Sequence, residues 1–353
     1  MRNHKIISFI LIWIPWMILL RDLLSRLVST RSENKIMKHR NQNFLWRALQ
    51  ESKYSSSQQR LNLFTLSATT NKCNVGKGLR RIEDVILPNC RQQHADDRKI
   101  PKLFHQTSRS RCLTPLFYNL SSRWQESLTQ DYCFFFHDEN AFMKLLKKDW
   151  KEFKLLRQVF KCAEEATAAV AADLWRYLIL WEYGGIYADL DSAPNSNFHP
   201  SVLDGHQAFF VVDKHDMMSE YFIAVSPKHP IIYYTLHHAL QNILTVRDTG
   251  AAFPGRTTGP HSLLAGFRSF RNDVGDTVGL AAERPIKSGI YRGRKNWTVT
   301  IMGSPENVNE FVFQQKVTDQ EKRKNYATMG MKFYLDDLAP TNRSCLKLTH
   351  QGL

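Results

Sequence analysis

Residues 163–191, AEEATAAVAADLWRYLILWEYGGIYADLD, contain a long apolar run, two glycines and a short segment that ends in two aspartates. Residues 163–181 hold strong helix formers and no proline, and the apolar side chains of residues 174–181 recur at helical spacing. Gly184 and Gly185 supply the backbone freedom that ends a helix. The stretch therefore predicts a buried helix, a glycine stop and a strand.

The segment after the glycines, residues 186–191, alternates β-forming residues with small or charged ones. In an extended strand, residues two apart share a face, so Asp189 and Asp191 are predicted to point the same way about 7 Å apart, with Leu190 in the core. Two convergent carboxylates form half a site for Mg²⁺ or Mn²⁺, which bind oxygen ligands and share them with substrate phosphates. We therefore expect a metal and diphosphate site here.

A charged pair interrupts the apolar helix. Asp173 and Arg176 lie three residues apart, on one side of the predicted helix. Charges inside such a run must be paired or functional, because burying an unpaired charge is costly. Two interpretations are open: an intrahelical salt bridge, or a pair that reaches a polar ligand beside Asp189.

Strand-like and helix-like segments alternate from residue 100 onward. Strands are predicted at residues 101–106, 132–137, 186–191, 207–213 and 221–226, and helices at residues 115–128, 138–150, 230–246 and 259–270. This order predicts an α/β domain with a largely parallel central sheet, in which ligands bind beyond the carboxyl ends of the strands.

Asp213, at the end of the strand predicted at residues 207–213, is the acid best placed for acceptor binding or catalysis. The alternative interpretation is that it is a turn residue at a strand end.

The amino-terminal region is predicted to be an anchor and a stem. Residues 6–20 are apolar and have basic residues on both sides, although the run is shorter than the roughly 20 residues of a full membrane span. An uncleaved signal-anchor is favoured over a cleaved signal peptide or an internal helix. We expect a cytoplasmic tip and transmembrane helix at residues 1–20, a basic, mostly disordered luminal stem at residues 21–98, and a catalytic domain at residues 99–353.

Sequons and cysteines agree with a luminal location. Glycosylation sequons begin at three asparagines: Asn119, Asn296 and Asn342. The 6 cysteines include no CxxC pair, which argues against a zinc ribbon, and they allow up to three disulfides. Cys73 and Cys90 could tie the end of the stem to the domain, whereas Cys133 could be a buried thiol.

The formal net charge of +15 suits an anionic partner or a solvated basic tail. A nucleic-acid-binding protein is supported by charge alone, and the anchor and the sequons argue against it. No GxxxxGK[ST], HExxH or GxSxG motif is present, nor a GxGxxG between a strand and a helix. A metal-dependent phosphohydrolase would need further His or Asp ligands.

The quoted stretch, together with residues 100–106, the Trp124 region and residues 132–138, resembles the DXD-motif sugar-binding glycosyltransferases. These include the Golgi α-1,6-mannosyltransferases and the inositol-phosphorylceramide mannosyltransferases. Thr258-Gly259-Pro260 is similar to a second, smaller motif of the family. The resemblance implies a GT-A fold (Rossmann-related), retaining transfer from a nucleotide-sugar with Mn²⁺ (or Mg²⁺), and a type II protein of the Golgi membrane.

The resemblance also implies roles for individual residues. The implied donor-binding residues are Asp173, Arg176, Tyr187, Asp189 and Gly259. The implied metal ligands are Asp189, Asp191 and His350, and Asp213 completes the catalytic candidates. The implied donor is GDP-mannose, with a UDP-sugar as the alternative, and the acceptor is a glycan or glycolipid. A catalytically inactive, binding-only relative is the competing interpretation, because no aromatic residue follows His105 and Gln106.

Overall fold

The computed structural model describes Leu45 and most of residues 62–333. Within that range it does not describe residues 68–72, 74–77, 89–98, 129–131, 158, 160–167, 197, 214–216, 246–253, 275–285, 304–311 and 315–317. The chain divides into two units, residues 1–56 and residues 57–353, and only Leu45 is described in the first. Among the described residues, no helix is long and apolar enough to cross a membrane. The anchor expected at residues 1–20 lies outside them and stays a prediction.

The second unit contains eleven strands and eight α-helices within its described residues. The strands are β1 (Arg80–Arg81), β2 (Leu103–Thr107), β3 (Cys112–Leu113), β4 (Cys133–His137), β5 (Gly185–Ala188), β6 (Ser192–Pro194), β7 (Ala208–Val212), β8 (Met218–Val225), β9 (Gly289–Arg292), β10 (Thr298–Met302) and β11 (Val312–Gln314). The helices are α1 (Leu63–Ser67), α2 (Pro115–Leu128), α3 (Glu139–Leu146), α4 (Ala168–Tyr183), α5 (Pro230–Thr245), α6 (Pro254–Thr257), α7 (Pro260–Asn272) and α8 (Asp319–Thr328).

Seven strands form the central sheet, in the order β4-β2-β5-β8-β7-β10-β9. Five of them share one direction, while β8 and β9 run the opposite way, so three of the six neighbouring pairs are parallel. The α/β class is confirmed, but the sheet is mixed rather than largely parallel. The reason is short connections: residues 213–217 join β7 to β8, and residues 293–297 join β9 to β10, too short for a parallel crossover.

The glycine stop between α4 and β5 forms as expected. Gly184 and Gly185 adopt φ values of 65° and 96°, in the left-handed region that glycine favours. A Cβ on Gly185 would also overlap the carbonyl oxygen of Leu103, because β5 begins against the neighbouring strand. The two glycines therefore allow the chain to leave the helix and enter the sheet within one turn.

The two faces of the sheet pack against different helices. On one face, Phe104 stacks on Phe134 at 5.1 Å between ring centroids and lies 5.0 Å from Trp124 of α2. On the other face, His137 lies 5.0 Å from Trp175 of α4, again between centroids. Alternate residues of β2 and β4 thus face α2 on one side of the sheet and α4 on the other.

Part of the range assigned to the stem packs on the domain. A disulfide joins Cys73 to Cys112, and β1 pairs with β3. The Asp84 carboxylate binds Arg111 at 2.9 Å, and Arg111 is only 2% exposed. Cys133 is also disulfide-bonded, so the interpretation as a buried thiol is wrong. The folded unit therefore begins before residue 99.

Candidate functional site

The two aspartates of the DXD motif lie in a turn rather than in the strand. Strand β5 ends at Ala188, and the Ser192 N–H donates to the Asp189 carbonyl oxygen at 3.1 Å. The Ser192 hydroxyl also donates to that oxygen at 2.7 Å. The expectation that Asp189 and Asp191 share one face of a strand is therefore wrong, because both residues lie beyond the end of β5. Leu190 does point into the core, where it is 6% exposed.

Two neighbouring residues of β2 hold this segment at both ends. His105 Nε2 donates to the Gly184 carbonyl oxygen at 3.1 Å, at the end of α4. Gln106 Nε2 donates to the Asp189 carbonyl oxygen at 3.1 Å, and its own side-chain oxygen accepts from Ser121 of α2 at 2.7 Å. The His-Gln pair of the first strand therefore positions the segment that carries the aspartates.

Arg176 is the centre of the site. Its Nη2 lies 2.9 Å from the Asp173 carboxylate and 3.4 Å from the Asp189 carboxylate. Its Nη1 donates to the Glu220 carbonyl oxygen at 3.0 Å, and its guanidinium lies 4.8 Å from the centroid of the Tyr187 ring. The intrahelical salt bridge is thus confirmed, and Arg176 also reaches Asp189; that the pair binds a polar ligand there stays a prediction.

Two hydroxyl groups complete the hydrogen bonding of the carboxylates. The Tyr187 hydroxyl donates to Asp189 Oδ1 at 2.8 Å, and the Thr258 hydroxyl donates to Asp173 Oδ2 at 2.6 Å. Tyr187 is 3% exposed, so its hydroxyl fixes the Asp189 side chain from the protein interior. Thr258 precedes Gly259 in the second motif, which explains how that motif contributes to the site.

Glu220 of β8 joins the group although the sequence analysis did not identify it. Its carboxylate Oε2 accepts from the Tyr177 hydroxyl at 3.3 Å and lies 4.0 Å from Arg176 Nη1. The signal was present, since Glu220 is the single charged residue in the strand MSEYFIAV. The predicted strand began one residue later, at residue 221, and so excluded it.

The three carboxylates around Arg176 are hard to ionise together. Burial raises the pKa of Asp173 to about 6, although Arg176 and Thr258 act in the opposite direction. Burial, with the nearby charge of Asp173, also raises the pKa of Glu220 well above its ordinary value. The pKa of Asp189 is raised by burial too, and Asp191 adds to that effect. The site therefore favours ligands that bring positive charge or hydrogen-bond donors.

Asp191 faces a basic side chain from the far end of the domain. Lys322 Nζ lies 2.5 Å from Asp191 Oδ2, and both side chains are largely covered. Lys322 belongs to α8, whose first turn is fixed by a capping box between Thr318 and Glu321. An ammonium group thus occupies one oxygen of a carboxylate that is expected to be a metal ligand.

Helix α8 and the turn after it lie across the ends of β2 and β5. Arg109 Nη1 donates to the Gly330 carbonyl oxygen at 3.2 Å, and Tyr326 lies 5.3 Å from Phe117 between ring centroids. None of the residues of α8 is buried. A polar, exposed helix is therefore held over the site by a few specific contacts.

The other predicted site residues fall in different places. Asp213 lies in the connection between β7 and β8, where its carboxylate accepts the Met217 N–H at 3.0 Å, as expected of a strand-end turn residue. The described contacts of Arg176 do not include it. Gly259 lies beside the Glu220 carboxylate: a Cβ added at Gly259 would be 2.8 Å from Glu220 Oε1. His350 lies outside the described residues.

A divalent cation fits the residues present. The carboxylates of Asp189 and Asp191 are the kind of oxygen donor that Mg²⁺ and Mn²⁺ take, their charges interact, and a cationic side chain already pairs with Asp191. No group of three or more His, Cys, Asp or Glu able to hold a metal occurs in the part of the chain that the structure describes. Magnesium and manganese sites often use one or two carboxylates together with substrate phosphates, so two carboxylates are sufficient.

A family comparison matches the centre of this site. Residues 117–209 match the family described as glycosyltransferase sugar-binding region containing DXD motif. The match includes α4 and the turn after β5, with Asp173, Arg176, Asp189 and Asp191. It ends before Asp213, and the resemblance expected from the sequence is confirmed over this central part.

The chain is also similar to part of a mannosyltransferase. The chain is 28% identical over 148 residues to inositol phosphoceramide mannosyltransferase 1 of Schizosaccharomyces pombe. This alignment covers 40% of this chain and 43% of the relative. The chain thus spans less than half the length of that protein. Among solved structures, PaToxG Glycosyltransferase aligns with a TM-score of 0.33 and 19% identity, covering 46% of this chain and 66% of that chain. A TM-score this low does not establish a common fold.

Proposed function

We propose that this chain, whose central block matches the DXD glycosyltransferases, transfers a hexose from a nucleotide-sugar to a glycan or glycolipid acceptor. The observation that carries the proposal is the cluster of Arg176 with Asp173, Asp189 and Glu220, which we call the Arg176 group. It joins α4, the turn after β5 and strand β8 at the carboxyl end of β5. The guanidinium suits a phosphate, and the carboxylates around it suit hydroxyl groups and a metal ion, so the group fits a ligand that carries phosphates, hydroxyls and a bound cation. GDP-mannose is the first donor to test, and a UDP-sugar is the alternative.

Different residues of the site would bind different parts of the ligand. Asp189 and Asp191 would hold Mn²⁺ or Mg²⁺, which when bound supplies Lewis-acid stabilisation of a diphosphate leaving group. Arg176 adds a permanent positive charge beside the same turn. Asp173 and Tyr187 keep Arg176 and Asp189 in place through the contacts described above. We further propose retention of the anomeric configuration and a luminal location at the Golgi membrane, with residues 1–20 as the anchor.

Calorimetric titration of the full chain tests the donor-binding step. GDP-mannose, UDP-galactose, UDP-glucose and UDP-N-acetylglucosamine are each added with Mn²⁺ or with EDTA. One donor is expected to bind only with the metal, and Asp191→Ala is expected to weaken that binding by at least about tenfold. Asp204→Ala, at an exposed position, is the matched control and should bind as the unaltered protein does. If no donor binds a folded sample, the proposal is wrong.

A binding-only relative is the second candidate. It is favoured by the Lys322 ammonium on Asp191, which places a cationic side chain where a metal ligand is expected. Such a protein would bind a nucleotide-sugar without cleaving it. Donor binding and donor cleavage must therefore be measured separately.

A further inference from the structure

Glu220 is the carboxylate of the Arg176 group with the weakest contacts. Its Oε2 has one hydrogen bond, of 3.3 Å, and a 4.0 Å approach to Arg176. Asp173 and Asp189 instead have charged or hydroxyl partners within 2.9 Å. No described residue donates a hydrogen bond to Glu220 Oε1. Since the side chain is 18% exposed, this oxygen is available to a ligand.

Gly259 packs closely against the Glu220 carboxyl group. A Cβ at that position would lie 2.8 Å from Oε1 and 3.2 Å from Oε2. Any other residue there would press on the carboxyl group. The preceding carbonyl, of Thr258, accepts the Tyr177 hydroxyl at 3.3 Å, so the same hydroxyl lies against both Thr258 and Glu220. The second motif therefore fixes the position of this side chain.

The charge of the group selects the kind of ligand atom that fits beside Oε1. Three carboxylates surround one guanidinium, and the nearby charges of Asp173 and Asp189 both oppose ionisation of Glu220. A phosphate oxygen at Oε1 itself would meet a carboxylate of the same charge. A hydroxyl group brings no charge and can donate to a carboxylate or accept from a protonated carboxyl.

We propose that Glu220 is a specificity-determining residue that binds a hydroxyl group of the donor's sugar through Oε1, with its carboxyl group positioned by the close contact with Gly259. This inference rests on the proposed function, because it names a contact of the same donor. Glu220 would then choose between hexoses that differ in the orientation of one hydroxyl. The nucleoside diphosphate, bound near Asp189 and Asp191, would not depend on it.

Calorimetry with two ligands separates this role from a structural one. The full chain with Mn²⁺ is titrated with a nucleotide-sugar and with its nucleoside diphosphate. Glu220→Gln is expected to weaken binding of the nucleotide-sugar by about tenfold to a hundredfold. It is expected to change the affinity for the nucleoside diphosphate by less than about twofold. Glu126→Gln, at an exposed position of α2, is the matched control and should alter neither affinity. Equal weakening of both ligands, or of neither, would overturn the inference.

A second variant keeps the test decisive if Glu220→Gln does not fold. Gly259→Ala keeps the acid but displaces its carboxyl group, because the added Cβ would lie 2.8 Å from Oε1. It should therefore weaken binding of the nucleotide-sugar while sparing binding of the nucleoside diphosphate. Loss of both ligands by a folded Gly259→Ala variant contradicts the inference. If the unaltered protein binds no nucleotide-sugar, the proposed function fails as well, whereas normal binding by Glu220→Gln defeats this inference alone.

Discussion

Arg176 pairs with acidic groups from its own helix, from the turn after β5 and from β8, and this places one guanidinium at the junction of three elements. Its side chain is only 7% exposed. Removing one member of a buried charged network leaves the others uncompensated, which typically costs about 3–5 kcal/mol. The group therefore serves the fold and the ligand site together, and substitutions in it must be compared with measurements of stability.

Asp173 is expected to make the stability depend on pH. Its folded pKa of about 6 lies above its ordinary value of 3.8, so the folded protein holds this proton more tightly than the unfolded chain. Its contribution to the free energy of unfolding is full below about pH 4 and is lost as the pH rises towards 6. Asp173→Asn cannot titrate and should flatten this decline.

Urea unfolding of the full chain between about pH 4 and 7 measures the effect. The slope of the free energy of unfolding against pH is compared between the unaltered protein and Asp173→Asn. Asp204→Asn, which changes an exposed aspartate, should keep the slope of the unaltered protein. An unchanged slope in Asp173→Asn would show that burial of Asp173 does not control this dependence.

The sequence identified most of the charged group but not its geometry. Asp173 and Arg176 were recognisable because charges stand out in an apolar helix. Glu220 is equally isolated in β8, but the predicted strand boundary excluded it. The turn at Asp189 could not be predicted, because Gln106, which lies far away in the chain, supplies one of the hydrogen bonds that form it.

Elements were predicted where local signals decide them. Helix α2 begins and ends at the predicted residues, and the Asp138 side chain caps α3 by accepting the Ala141 N–H at 3.1 Å. The antiparallel direction of β8 was not predicted, because the sequence alone does not determine how the strands are ordered in the sheet. Helix α8 was not assigned either, since its polar sequence has no apolar face to reveal it.

Helix α8 is expected to compete with a metal for Asp191. Because the Lys322 ammonium occupies one carboxylate oxygen, a cation must displace it or share that carboxylate. Lys322→Met should therefore tighten Mn²⁺ binding in the absence of nucleotide, by about two- to fivefold, since a partly exposed ion pair contributes up to about 1 kcal/mol. Electron paramagnetic resonance of free Mn²⁺ gives the affinity directly.

Lys324→Met is the matched control for this measurement. It makes the same change in net charge, two residues further along the same helix, at an exposed position. It should leave the affinity for Mn²⁺ unchanged within error. Weaker metal binding by Lys322→Met, or equal effects of the two variants, would show that Lys322 does not compete with the cation.

At the scale of the molecule, the mixed sheet gathers the site at one edge. Five strands share a direction, so their carboxyl ends, including those of β2 and β5, meet along one side, as expected for ligand sites in α/β sheets. Helix α4 supplies the buried charges from one face, and α8 covers the strand ends. The fold class could be predicted from the alternation of elements, whereas the contact between α8 and the turn after β5 joins Lys322 to Asp191, 131 positions apart in the chain.

Donor cleavage is the measurement that tests the central claim most directly. The full chain is incubated with the donor that it binds and with Mn²⁺, and nuclear magnetic resonance follows the release of nucleoside diphosphate and sugar. We predict metal-dependent cleavage, with the first sugar product in the anomeric configuration of the donor, and loss of cleavage in Asp191→Asn. A folded protein that binds the donor but never cleaves it, with or without candidate acceptors, would contradict the account and leave a binding-only protein.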